Sequence, residues 1–82
     1  MSPTIANLLA LADAYAEAAQ VNTTTVSWRV FNDSKKLKAI REGADIQVGR
    51  FEGAVQWFSD NWPEGHAWPE SVERPVARSE AA

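Results

Sequence analysis

Tyr15-Ala16-Glu17-Ala18-Ala19-Gln20-Val21-Asn22-Thr23-Thr24-Thr25-Val26-Ser27-Trp28-Arg29-Val30-Phe31-Asn32-Asp33 joins two helical patterns across a short break at Gln20 to Asn22. Upstream, apolar residues fall at Ile5, Leu8, Leu9, Ala12, Tyr15, Ala16 and Ala19. That i, i+3, i+4, i+7 spacing is one face of a helix, predicted over about residues 3–20. Ser2 is its expected N-cap and Pro3 its first helical residue. The seven alanines between Ala6 and Ala19 favour helix and allow close approach of a neighbour. Val21-Asn22 breaks the pattern, and Asn22 or Thr23 caps a second helix over residues 23–31, with Val26 and Val30 one turn apart. Three threonines and two valines also suit a strand. Helix is preferred because Asn32-Asp33-Ser34 supplies another cap at once, and no second strand is at hand to pair with.

Downstream, Ser34 opens a third helix over about residues 34–42, with Leu37 and Ile40 inward, Lys35 and Lys38 outward, and Gly43 as the C′ residue. Asp45 caps a fourth helix over about residues 46–61. Its apolar positions are Val48, Phe51, Ala54, Val55, Phe58 and Trp62, with Trp57 on the flank, and Pro63 ends it. Residues 64–82 hold Gly65, Pro69 and Pro75 and no periodicity. Residues 64–75 read as an extended segment pinned by Trp68, and residues 76–82 as disordered. The expectation is an all-α fold: a compact domain of about four helices over residues 1–63, followed by an extended tail over 64–82.

The run Ala19-Gln20-Val21-Asn22-Thr23-Thr24-Thr25-Val26-Ser27 resembles the Ala-Gly-Val-Ser-x-x-Thr-Val-Ser of helix-turn-helix domains of the lac-repressor and phage-repressor type, and Val30-Phe31-Asn32 resembles the end of the same recognition helix. The whole chain resembles short helix-turn-helix proteins of prophages and other mobile elements, closely over about residues 10–33 and loosely beyond them. The resemblance implies that Tyr15, Ala16 and Ala19 face the second helix, that Val21 plugs the turn, and that Val26 and Val30 anchor the helix presented to DNA. Three residues depart from the pattern. Gln20 replaces the turn glycine, so the turn is made either without positive φ or with strain. Arg29 stands where an apolar anchor belongs, with Val30 one place late. Trp28 stands where a polar or basic residue is usual.

On this resemblance Thr23, Thr24 and Trp28 approach base edges, the threonine methyls suiting a thymine methyl. Arg29 is the candidate for a bidentate guanine contact or, on another face, for a phosphate. Asn22, Thr25 and Ser27 contact phosphates, joined by Lys35, Lys36 and Lys38. The implied function is a sequence-specific DNA-binding regulator, a repressor acting as a homodimer on an inverted repeat. Trp57 and Trp68 are the candidate dimer or partner contacts, while Phe58 and Trp62 complete the core. The competing reading is a protein-interaction module, an antiactivator or adaptor using the same scaffold and a tryptophan patch. Helix pairs joined by short turns also occur in domains that bind no DNA, and Lys35, Lys36 and Lys38 also suit a solvated helix face.

The charges sharpen that choice. The 82-residue chain has net charge −3, which argues against nucleic acid, but the charges are segregated. Residues 1–22 sum to −2 through Asp13 and Glu17. Residues 23–50 sum to +3, with Arg29, Lys35, Lys36, Lys38, Arg41 and Arg50 against Asp33, Glu42 and Asp45. Residues 51–82 sum to −4. A partner responds to the local patch, because the Debye length is about 8 Å at physiological salt. The acidic ends are expected to face away from a duplex.

Other chemistries find no foothold. There is no cysteine, hence no disulfide, thiolate metal site or Cys nucleophile. His66 lies near Asp60 and Glu64 across a bend, without the i, i+4 pairing of a metal or acid–base cluster. Asp33 and Asp45 read as caps rather than as paired carboxylates. No glycine-rich phosphate loop or serine elbow is present, so no cofactor is expected and the chain is not read as an enzyme. No apolar run reaches the length of a membrane span, and the alanine-rich start lacks basic residues, so a cytoplasmic protein without a membrane partner is the expectation.

Overall fold

The junction at Gln20 is built by a left-handed residue. In a computed structural model that describes residues 4–75, α1 (Ile5–Ala19) ends with Gln20 at φ 59°, ψ 46°. The Gln20 and Val21 amides donate back to the carbonyls of Glu17 (3.3 Å) and Ala16 (3.0 Å), the paired bonds of a Schellman ending. Glutamine thus does a glycine's task with positive φ, and the strained alternative is the one realised. Asn22 then caps α2 (Thr23–Phe31), its side-chain oxygen accepting from the Thr25 amide at 2.8 Å. Val21 at N′ and Val26 at N4 both pack toward the core, the spacing of a hydrophobic staple.

The other helix starts are shifted from expectation. Ser2 and Pro3 lie outside the described residues. The N-cap of α1 is Thr4, which accepts from the Asn7 amide at 3.2 Å while the Asn7 side chain accepts from the Thr4 amide at 2.9 Å. This reciprocal capping box uses Asn in place of the usual Glu or Gln. Ser34 does not cap α3 (Lys36–Arg41). The Asp33 carboxylate accepts the Lys35 amide at 2.9 Å, and the free Leu37 amide is taken by the Ser27 hydroxyl, reaching across from α2 at 3.0 Å. Gly43, at φ 109°, closes α3 with a second Schellman pair, in which the amides of Gly43 and Ala44 donate to Ile40 and Ala39. Asp45 does not cap α4 (Val48–Asp60) either. Gln47 holds that position without a side-chain bond, and Ile46 and Phe51 flank the start at N′ and N4, both packed on the core.

The core joins Leu8, Leu11, Ala12, Tyr15 and Ala16 of α1 to Val26 and Phe31 of α2, Leu37 and Ile40 of α3, and Ala54, Val55 and Phe58 of α4. The buried stripe of α1 is rotated from the one expected: Leu11 is fully buried, Leu9 only partly, and Ile5 is 39 % exposed. Phe31, not Val30, is the second buried anchor of α2.

Residues 64–75 form an irregular strap that completes this core. Trp62 donates to the His66 carbonyl at 3.0 Å and Trp68 to the Val72 carbonyl at 2.7 Å, which buries Val72. The Asn7 side chain donates to Ser71, Ser59 donates to Pro75 at 3.0 Å, and Arg74 donates to Ser59. The pinning by Trp68 is as expected. The division at residue 63 is not a division of the core, because Val72 lies within it. The expected disorder of 76–82 falls outside the described residues.

Candidate nucleic-acid interface

One side of α2 is committed to the fold. Val26 and Ser27 are fully buried, Phe31 nearly so, and Val30 half-buried. The opposite side carries Thr24, Thr25, Trp28 and Arg29, of which only Thr25 is half-buried. Trp28 is 56 % exposed, unusual for so large an apolar side chain. Spacings of i, i+3 and i+4 bring Thr24, Thr25 and Trp28 into one patch.

Ser27 is a correction. It cannot meet a phosphate, because its hydroxyl donates to the Asp33 carbonyl and accepts from the Leu37 amide inside the molecule. Its place is structural: it fastens α2 to the following turn and to the start of α3. Arg29 lies on the solvent side, with its guanidinium donating to the Tyr15 hydroxyl at 3.0 Å. The arginine is therefore oriented from α1 rather than free to sweep the solvent.

At the N-terminal end of α2, Thr23 and Thr24 share a cleft of about 200 Å³ with Ser34, Leu37, Lys38 and Arg41. The Asn22 oxygen is occupied by its capping bond, which leaves its amide nitrogen as the donor available to a ligand. Arg41 is held by Asp13 at 2.8 Å, tying α3 to α1. Arg50 donates to the Phe31 carbonyl at 3.1 Å, with its guanidinium carbon 5.8 Å from the Phe31 ring centroid. Arg41 and Arg50 thus tie elements of the fold together, while Arg29 is exposed on α2 and oriented by Tyr15. Lys35 and Lys38 are exposed, Lys36 is half-buried, and among the described residues their ammonium groups make no ion pair. Of the three lysines, Lys38 is the one that shares the cleft at the N-terminal end of α2, and Lys35 and Lys36 stand at the start of α3.

Trp57 and Trp68 stand apart from this face and are half-buried. Tyr15 packs edge-on against Trp57 (5.4 Å between centroids) and Phe58 (5.7 Å), and lies 6.1 Å from Trp62, which in turn meets Trp68 at 4.9 Å. Arg74 covers Trp68 at 5.0 Å. Both tryptophans belong to an aromatic cluster that ties the strap to α1 and α4, so the large aromatic left in the open is Trp28.

Among the described residues no group of three or more His, Asp or Glu side chains is placed to hold a metal ion, and no helix is long and apolar enough to cross a membrane. The sequence reading missed the Arg29–Tyr15 bond, the Arg41–Asp13 pair and the internal duty of Ser27. The separations are 14 residues for Arg29–Tyr15, 28 for Arg41–Asp13, and 6 and 10 for the two bonds of Ser27, and none leaves a periodic signal. Comparison of the chain with protein-family models, with curated proteins and with solved structures gives no match.

Proposed function

We propose that the chain is a DNA-binding transcriptional regulator that inserts α2 into the major groove and acts by occupancy, as a repressor. The observation that carries this reading is the two-sidedness of α2. Its inner face is fixed by Val26, Ser27 and Phe31, while the outer face presents Thr24, Thr25, Trp28 and Arg29 beside uncommitted lysines. A rigidly mounted helix with short polar groups and flanking positive charge matches what groove entry and phosphate anchoring require. Lys35, Lys36, Lys38 and the Asn22 amide then contact phosphates, and Arg29 contacts a guanine edge or a phosphate. Glu64, Glu70 and Glu73 ride on the strap, whose bonds are to α1 and α4, which supports an acidic surface turned from the duplex. A single α2 reads only a few base pairs, so a homodimer on an inverted repeat supplies useful specificity. The role is binding rather than catalysis, with no cofactor.

Titrating duplex DNA from the protein's own promoter region tests this. Sequence-dependent retardation, lost in Thr24→Ala and Arg29→Ala, is the expected outcome. Equal affinity for every sequence, or no binding at low salt, rules the reading out. The second reading, a protein-interaction module, is favoured by the exposure of Trp28 and the net charge of −3. It predicts a protein partner lost in Trp28→Ala and no duplex binding.

A further inference from the structure

A cleft of about 420 Å³ opens between the end of α1, at Glu17, Ala18 and Gln20, and the residues that lead into the strap, Trp62 and His66. Ligand clefts typically enclose roughly 300–1,000 Å³, so this one has room for a small organic molecule. Glu17 is an exposed carboxylate in the last turn of α1, and among the described residues it makes no hydrogen bond or ion pair. Asp13, the other acid of α1, is matched by Arg41. Neither α1 nor the described lining of the cleft holds a Lys or Arg. A carboxylate at the carboxyl end of a helix meets the negative end of its dipole, where a cation belongs. On the facing wall, Trp62 is half-buried, with the Tyr15 and Trp68 ring centroids 6.1 and 4.9 Å away. Its indole N–H is spent on the His66 carbonyl at 3.0 Å. What this indole can offer an occupant is its carbon surface and its π-face.

We infer that this cleft binds a small organic cation, an ammonium carried on a compact apolar group. The charge pairs with Glu17 at the carboxyl end of α1, and the apolar part lies on the Trp62 ring, whose face also attracts the charge. Other occupants fit the same walls less well. A neutral apolar molecule strips water from the Glu17 carboxylate and returns nothing. An anion meets that carboxylate head-on. A divalent metal ion takes several oxygen ligands, and among the described residues no group of three His, Asp or Glu side chains is placed to supply them. Gln20, whose left-handed backbone makes the junction between α1 and α2, is part of the wall. An occupant therefore bridges that junction and the residues leading into the strap. The inference is independent of the DNA-binding reading, and neither needs the other.

The test is an NMR titration of the full, isotope-labelled chain with phenethylammonium chloride, at constant chloride and at about pH 8, where free imidazole is uncharged. Phenethyl alcohol, which keeps the ring and the chain length without the charge, and phenylacetate are the controls. Saturable shifts of the Trp62 indole N–H and the Gln20 amide are expected, with half-saturation at about 1 mM ammonium. The alcohol is expected to bind about tenfold more weakly, and phenylacetate not to bind. Glu17→Gln keeps the size of an exposed side chain and is expected to fold normally. Its affinity for the ammonium is expected to fall about fivefold, with that for the alcohol unchanged. Trp62→Phe keeps a ring with a weaker π-face and is expected to lose roughly twofold, followed at the Gln20 amide. Equal affinity for ammonium and alcohol, or an unchanged ammonium affinity in Glu17→Gln, overturns the inference. So does the absence of saturable shifts at Trp62 and Gln20 with about 20 mM ammonium.

Discussion

Gln20 joins α2 to α1 and Ser27 joins it to α3, and each carries a measurable cost or gain. Gln20 holds a left-handed conformation that disfavours L side chains by roughly 1–2 kcal/mol, part of which glycine returns through its freer unfolded chain. Gln20→Gly is therefore expected to raise stability by about 1 kcal/mol in urea denaturation, with no change in the fold. Ser27→Ala is expected to lower stability by about 1–3 kcal/mol, because the Leu37 amide loses its partner and the Asp33 carbonyl keeps only the Lys36 amide. A shift within the error of the midpoint would contradict the capping role assigned to it. The departure at Gln20 was legible in the sequence, because a missing glycine at a turn has only two outcomes. The burial of Ser27 was not. In a run of Thr, Val and Ser it reads as one more surface hydroxyl, and only the position of Leu37 in space reveals its task. Phe31 was hidden for a related reason: Val26 and Val30 offered a complete i, i+4 pair without it.

At the scale of elements, the number and order of the helices could be read from periodicity, and their ends could not. Three of the four helices begin two residues later than spacing and local caps suggest. No side chain just before α3 or α4 caps it; the free Leu37 amide of α3 is taken by Ser27 of α2, and the start of α4 is flanked by Ile46 and Phe51. A six-residue helix such as α3 is too short to persist alone, and it is held through Leu37, Ile40 and the Ser27 bond. The Arg41–Asp13 pair is exposed on both sides and contributes at most about 1 kcal/mol. For α2, local and tertiary devices combine: Asn22 caps its start, and Arg50 from α4 meets the carbonyl of Phe31 at its end. Asn22→Ala is expected to cost about 1 kcal/mol by thermal or urea unfolding. It is also expected to weaken duplex binding, since the same residue supplies a phosphate donor in the proposed complex. Asn22→Asp keeps the cap and adds a negative charge, so it is expected to retain stability while losing affinity. Equal DNA affinity in the two variants and the parent chain would remove Asn22 from the interface.

For the whole molecule, the strap of residues 64–75 decides what counts as the domain. It had no periodic signal, because one buried valine between polar residues looks like any loop residue. Yet Val72 lies in the core and Trp68 closes the aromatic cluster. Val72→Ala is expected to cost about 2 kcal/mol, and a chain ending at residue 63 is expected to unfold at markedly lower urea concentration. The basic middle segment is itself divided, with Arg41 and Arg50 bonded within the fold, and Lys35 and Lys38 exposed, Lys38 in the cleft at the start of α2. The most direct measurement is therefore the salt dependence of duplex binding by the full chain and by a variant with Lys35, Lys36 and Lys38 all changed to Gln. The account predicts affinity that falls steeply with salt in the parent chain, and a log–log slope shallower by about 0.9 for each lysine that meets a phosphate. No salt-sensitive binding by the parent chain, or an unchanged slope in the variant, would contradict it.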